Sequence, residues 1–141
     1  MSTQVKGAVL LSRSEFVRSE YGDAAWQQVL AQVSPASRPQ LEGLLLSSQW
    51  YAFEINADLD RAIVEVLGHG DRSIFKKMGA KSAQANLGGP PETLSANDCL
   101  TVIGWYEEAL RMCGATTVRM TEETCRARGG PYCRYQVSWS A

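Results

Sequence analysis

Thr116-Thr-Val-Arg-Met-Thr-Glu-Glu-Thr-Cys125 and Tyr132-Cys-Arg-Tyr-Gln-Val-Ser-Trp139 flank Arg128-Gly-Gly-Pro131, and together they read as a C-terminal β-hairpin. Both arms are rich in β-branched and aromatic residues, which suit a pleated surface, and the Gly-Gly-Pro run supplies the turn. Side chains alternate along a strand. Cys133, Tyr135, Val137 and Trp139 therefore share one face, and Tyr132, Arg134, Gln136 and Ser138 the other. A lone two-stranded ribbon is marginal in water. The hairpin needs further strands or a helical cover, which residues 5–11, residues 49–54 or a second subunit would supply.

Upstream, the chain reads as helices. Ser95 followed by Asp98 resembles a capping box and opens a helix through Leu100, Ile103, Tyr106, Leu110 and Cys113, which Gly114 stops. Asn56 or Asp58 caps a helix with Leu59, Ile63, Val66 and Leu67 on one stripe, closed by Gly68. Asp71 caps the next, whose stripe of Ile74, Phe75, Met78, Ser82 and Ala85 runs to Leu87 before Gly88-Gly-Pro-Pro91. Its small residues, Gly79, Ala80, Ser82 and Ala83, permit close approach of another helix. Ser14 caps a first helix from Phe16 to Val33, with a break at Gly22-Asp23, and a second starts near Pro39 and runs through Leu41, Leu44 and Leu45. Residues 49–54 are either a short strand or an extended linker. The pattern gives an α+β fold in which helices pack on a small antiparallel sheet with a C-terminal hairpin. Gly88–Pro91 is the clearest hinge, but both sides are too short to stand alone, so residues 1–141 are expected to form a single domain.

The composition excludes several classes. With 14 Lys plus Arg against 15 Asp plus Glu, the 141-residue chain has a formal charge of −1 and lacks the positive field that nucleic acids or anionic membrane surfaces require. No apolar run approaches the roughly 20 residues of a membrane span, since even Leu41–Leu46 is interrupted by Glu42 and Gly43. The N-terminus lacks the features of a secretory signal, so a cytoplasmic location with reduced thiols is expected. At this length a core forms without a staple.

Four cysteines then become informative. Cys99 stands at a helix N-terminus, and Cys125 and Cys133 stand on the two arms of the hairpin. Three sulfurs with the Glu122 carboxylate suit a tetrahedral Zn²⁺ site. The spacing leaves a second reading open: Cys99 and Cys113 as buried apolar thiols, Glu122 in solvent, and Cys125 and Cys133 as a cross-strand thiol pair or redox disulfide. The seven residues between Cys125 and Cys133 exceed the span of common zinc knuckles. Glu122 and Cys125 also differ by an odd number along a strand, so zinc requires a bulge or a strand end between them.

At Cys99 and Glu122-Glu-Thr-Cys125-Arg-Ala-Arg-Gly-Gly-Pro-Tyr-Cys133 the chain resembles the 4-vinyl reductase-like sensory domain family, intervals included. In the aromatic-compound-sensing members those four positions bind zinc, so the resemblance implies zinc roles for Cys99, Glu122, Cys125 and Cys133. A longer pattern resembles a family common in myxobacteria: Val5-Lys-Gly7, Trp50-Tyr51, Gly79-x-x-Ser82-Ala83, Cys-x-Ala-Arg-Gly-Gly-x-x-Cys and Trp139. Both are similar to the wider group of transport-particle (TRAPP) subunits and haem nitric-oxide-binding domains, which implies helices on an antiparallel sheet and a homodimer. The Gly88–Ser95 segment is shorter than in the sensory members, so part of their ligand chamber is expected to be missing. The proximal His with Tyr-x-Ser-x-Arg of the haem-binding relatives is absent, which disfavours haem.

His69, in Gly68-His-Gly70, has no nucleophile motif beside it and reads as a turn residue at a helix end. No dinucleotide fingerprint or phosphate loop is present. Arg119, Arg126, Arg128 and Arg134 read as a solvated strand face. Trp26, Trp50, Tyr51, Phe53, Phe75, Trp105 and Tyr106 either pack a core or line an apolar pocket. The expectation is a non-enzymatic small-molecule-sensing or regulatory domain with a structural zinc, binding an apolar or aromatic ligand. The alternative is a protein–protein adaptor without a small ligand.

Overall fold

The computed structural model describes residues 3–85 and 95–141. They form an α+β fold in the order β1 (Gln4–Lys6), α1 (Gly7–Tyr21), α2 (Asp23–Gln32), α3 (Arg38–Glu42), β2 (Trp50–Ala52), α4 (Phe53–Val66), α5 (Ile74–Ala85), α6 (Ala96–Met112), β3 (Thr117–Thr124) and β4 (Arg134–Ser140). Two compact units divide the chain, Met1–Arg72 and Ser73–Ala141. The boundary falls at Arg72, while the expected hinge at Gly88–Pro91 lies outside the described residues. No helix among those described is long and apolar enough to cross a membrane.

In the first unit β1 and β2 pair antiparallel, with Val5 opposite Tyr51 and both side chains buried while their neighbours are exposed. Residues 5–11 and 49–54 thus supply strands to each other and not to the hairpin. Helix α1 starts directly at the end of β1, so Ser14 lies inside it instead of capping it. Its first amides are met by loop carbonyls, Gly7 N donating to Gln49 O at 2.8 Å and Ala8 N to Ser47 O at 3.0 Å. A Cβ on Gly7 would collide with the Leu46 carbonyl, so glycine is required there. In the same way α4 starts at Phe53, whose amide donates to Thr3 O at 3.0 Å, and Asn56 is buried inside the helix. Gly22, at φ 91°, makes the expected break between α1 and α2. Helix α3 ends at Gly43, so Leu44 and Leu45 belong to the following loop and not to a helix.

Charge-assisted bonds tie these helices together. Arg13 of α1 reaches Asp60 of α4 through Nε (2.7 Å) and Nη2 (3.2 Å), with both residues buried. Asp58 accepts from the Ser34 amide at 2.9 Å and from Arg61 Nη2 at 2.6 Å. Burial alone would raise the Asp58 pKa, but the hydrogen bonds from Ser34, Arg61 and Ser37 outweigh it and hold the carboxyl at about 2.

In the second unit Ser95 caps α6 as expected, accepting from Asp98 N at 3.2 Å and donating to Asp98 Oδ2 at 2.9 Å, and Gly114 follows its end at φ 104°. The α5 stripe is Ile74, Phe75, Met78 and Ala83, with Ser82 facing solvent. Helices α5 and α6 meet backbone to backbone. A Cβ on Gly79 would strike the Thr101 carbonyl, and one on Gly104 the Lys76 carbonyl. The β3–β4 hairpin pairs Thr117 with Ser140 and Glu122 with Tyr135.

Two stability measurements test this packing. Gly79→Ala and Gly104→Ala each destabilise the fold to urea by about 1 to 3 kcal/mol, because the helices must separate to admit the methyl group. Asp58→Asn costs about 1 to 3 kcal/mol at pH 6. Because the native carboxyl titrates below its unfolded value, that advantage of the parent is complete above about pH 4 and vanishes as the pH falls toward 2.

Candidate metal centre

Three sulfurs from separated parts of the second unit converge. Cys99 sits in the first turn of α6, its amide bonded to Ser95 O at 3.1 Å. Cys125 follows β3, and Cys133 precedes β4. Both a bulge and a strand end lie between Glu122 and Cys125. The β3–β4 register shifts between Glu122 and Thr124, and the strand ends before Cys125. A 3-10 turn at Arg126–Arg128 and Gly129 at φ 88° fold the chain back, and Gly130 N closes the loop on Cys125 O at 2.9 Å. The Arg126 amide then donates to Cys133 Sγ at 3.4 Å.

The resulting distances are Cys99 Sγ to Cys125 Sγ 3.5 Å and Cys99 Sγ to Cys133 Sγ 3.9 Å, with all three sulfurs within 4.8 Å of one another. A tetrahedral ion with Zn–S bonds of about 2.3 Å holds its sulfurs about 3.8 Å apart, so the two separations from Cys99 match edges of such a site. The Glu122 carboxylate does not lie within 4.8 Å of all three sulfurs. Its Oε2 accepts from Arg128 Nη1 at 2.9 Å, and its Oε1 is buried without a hydrogen bond. Thr124 Oγ1 and the Tyr135 hydroxyl, on the same hairpin face, are likewise buried without one. Unpaired buried oxygens are costly, and three of them sit around these thiols.

Burial pushes the Cys99 thiol up to about 12. The Tyr135 hydroxyl lowers it in part without forming a well-aligned hydrogen bond, and Cys125 raises it further. Tyr135 is itself raised, by burial and then by Cys99. Without a cation Cys99 is therefore a neutral thiol at pH 7, and metal binding there must displace its proton. Tyr135 was not singled out from sequence, although strand alternation places it beside Cys133.

The remaining candidates are dispersed. Cys113 is exposed at the C-cap of α6, not buried. His69 is exposed on the turn after α4, at φ 49°. Arg119, Arg126, Arg128 and Arg134 are exposed, with Arg134 stacked 4.9 Å from the Tyr132 ring. Trp26, Tyr51, Phe75 and Trp105 are core residues, whereas Trp50 and Tyr106 face solvent.

No protein-family model matches the chain, and no curated protein sequence matches it. Two solved structures share its fold. An H-NOX protein from S. oneidensis in the Fe(II)NO ligation state has a TM-score of 0.65 at 12% identity, over 97% of this chain and 100% of the other. A mutant H-NOX protein from S. oneidensis in the Fe(II) ligation state gives 0.65 at 13% identity, over 97% of each chain. The likeness is one of fold. An iron group held through His69, the chain's one imidazole, would stand on an exposed turn. The donors gathered among the described residues are the thiols.

The burial pattern fixes the thiol chemistry of the reduced, metal-free chain. Dithionitrobenzoate at pH 8 titrates one cysteine rapidly, and Cys113→Ser abolishes that phase. Buried Cys99 and Cys125 react slowly until denaturant is added, and half-buried Cys133 reacts at a rate between theirs and that of Cys113.

Proposed function

We propose that the chain is a non-enzymatic small-molecule-sensing domain braced by a structural zinc on Cys99, Cys125, Cys133 and Glu122. The observation that carries this reading is the spacing of the three sulfurs, 3.5 and 3.9 Å from Cys99, at tetrahedral edge lengths. The motif's resemblance to the 4-vinyl reductase-like sensory domains and the H-NOX-like fold support it. Glu122 supplies the fourth donor through its unpaired Oε1, while Arg128 steadies Oε2. Zinc, when bound, supplies a cation that keeps the thiols deprotonated and ties α6 to both ends of the hairpin loop. The Arg126 amide orients Cys133 and offsets charge on its sulfur. With four protein ligands the site is closed, which suits structure and not catalysis.

The whole-chain span of the structural likeness supports residues 1–141 acting as one domain, in our reading a cytoplasmic one. Sensing proceeds by ligand-biased packing, in which the ligand binds two arrangements with different affinity. Val137 and Trp139, exposed on the hairpin face they share with Tyr135, favour a homodimer. The same exposed residues favour the second reading, an adaptor that docks a protein partner there.

Metal analysis of protein purified without chelator tests the centre. The expected content is one zinc per chain. Cys99→Ser, Cys125→Ser and Cys133→Ser each abolish it, while Glu122→Gln weakens affinity by about 10- to 100-fold. Stripping zinc lowers the melting temperature of the parent. Iron with a porphyrin absorption band in place of zinc, or an unchanged melting curve in Cys99→Ser, overturns the reading.

A further inference from the structure

A cleft of about 360 Å³ opens in the first unit between α1, α2 and the loop after α3. That volume is at the lower end of the roughly 300–1,000 Å³ range of small-molecule sites. Trp26, Leu30 and Leu41 give it an apolar floor, and each is almost fully buried. Leu44 stands at the cleft 84% exposed, an apolar side chain left in water. Four polar side chains, Ser14, Arg18, Gln27 and Glu42, also line the cleft. Ser14 is only 6% exposed, lines the cleft, and has no hydrogen-bond partner among the described residues. A hydroxyl on the lining can donate to or accept from a molecule in the cleft.

Arg18 supplies the charge. Its guanidinium lies 5.5 Å from the Trp26 ring centroid and 3.6 Å from Asp23, whose side chain is almost fully exposed. Such an exposed pair is worth little and exchanges readily for a desolvated carboxylate. Glu42, also on the lining, repels any negative charge brought near it, and a dianion more than a monoanion.

We propose that this cleft binds a small monoanionic organic acid, its apolar body against Trp26, Leu30, Leu41 and Leu44, and its carboxylate on Arg18 and Ser14. The proposal names a ligand class for the sensing function above and rests on that reading only for the purpose of binding. An apolar body covers Leu44, a single carboxylate matches one guanidinium and one hydroxyl, and a diacid meets Glu42.

Calorimetric titration of the full chain with 4-phenylbutyrate and with its neutral amide tests it. The expected result is saturable binding of the acid, about tenfold or more tighter than the amide, with amide-proton NMR shifts at Leu11, Gln27 and Leu44. Arg18→Gln, an exposed substitution, brings the acid down to the affinity of the amide. Folded parent chain that binds neither compound, or acid binding that Arg18→Gln leaves intact, overturns the proposal. Zinc content is measured on the same samples. Zinc-loaded chain that ignores the acid sinks the cleft alone, and acid binding by chain that never carries zinc sinks the metal centre alone.

Discussion

A two-stranded antiparallel ribbon cannot hold its own shape in water, and β3–β4 is such a ribbon, with no third strand among the described residues. Its stability has to come from what it is fastened to. Strand β3 packs on α6, and at one end the loop between the strands curls through Gly129 and Gly130 and brings Cys125 and Cys133 to Cys99 on the first turn of α6. The register slip after Glu122, the Ser95 cap that fixes the start of α6, and the Arg126 amide on Cys133 all serve that convergence. At the far end of the ribbon Trp139 is 58% exposed, an apolar side chain left in water.

The two units solve the same problem with different chemistry. In residues 3–72 the helices are joined by charge: the buried Arg13–Asp60 pair and the Asp58 carboxylate on the Ser34 amide fix α4 against its neighbours. Breaking one partner of a buried pair leaves an uncompensated charge, which makes such contacts specific and unforgiving. In residues 73–141 the helices touch through glycine, and three free thiols from α6 and the hairpin loop converge. Asn56 on α4 is fully buried, and neither end of its amide has a hydrogen-bond partner among the described residues.

What was legible in the sequence was local. The Ser95 cap, the Gly114 stop, the break at Gly22 and the alternation of Tyr135, Val137 and Trp139 are written in neighbouring residues, and the structure has them where the sequence puts them, while Cys133 lies just before the strand. The need for a bulge or strand end between Glu122 and Cys125 followed from strand parity, and both occur. The starts of α1 and α4 were not legible. Each helix leaves a strand without a capping side chain, and its first amide is satisfied by the Gln49 or Thr3 carbonyl, far away in sequence. Ser14 and Asn56, both good caps by type, were therefore misread. For the metal centre, the three cysteines could be grouped from sequence. The diversion of Glu122 toward Arg128 could not, because it depends on how a loop of irregular backbone folds back.

The glycine contact between α5 and α6 carries a consequence for how this sequence can drift. Because Gly79 and Gly104 each face a carbonyl of the opposite helix, no side chain mediates their approach and no second substitution can make room for a first. The surrounding Ile74, Phe75, Met78, Val102 and Ile103 can exchange for one another's shapes at modest cost, since cores tolerate volume-conserving swaps. Lineages of this chain are then free to repaint that interface while its spacing stays frozen, and with it the distance from α5 to the helix end that carries Cys99.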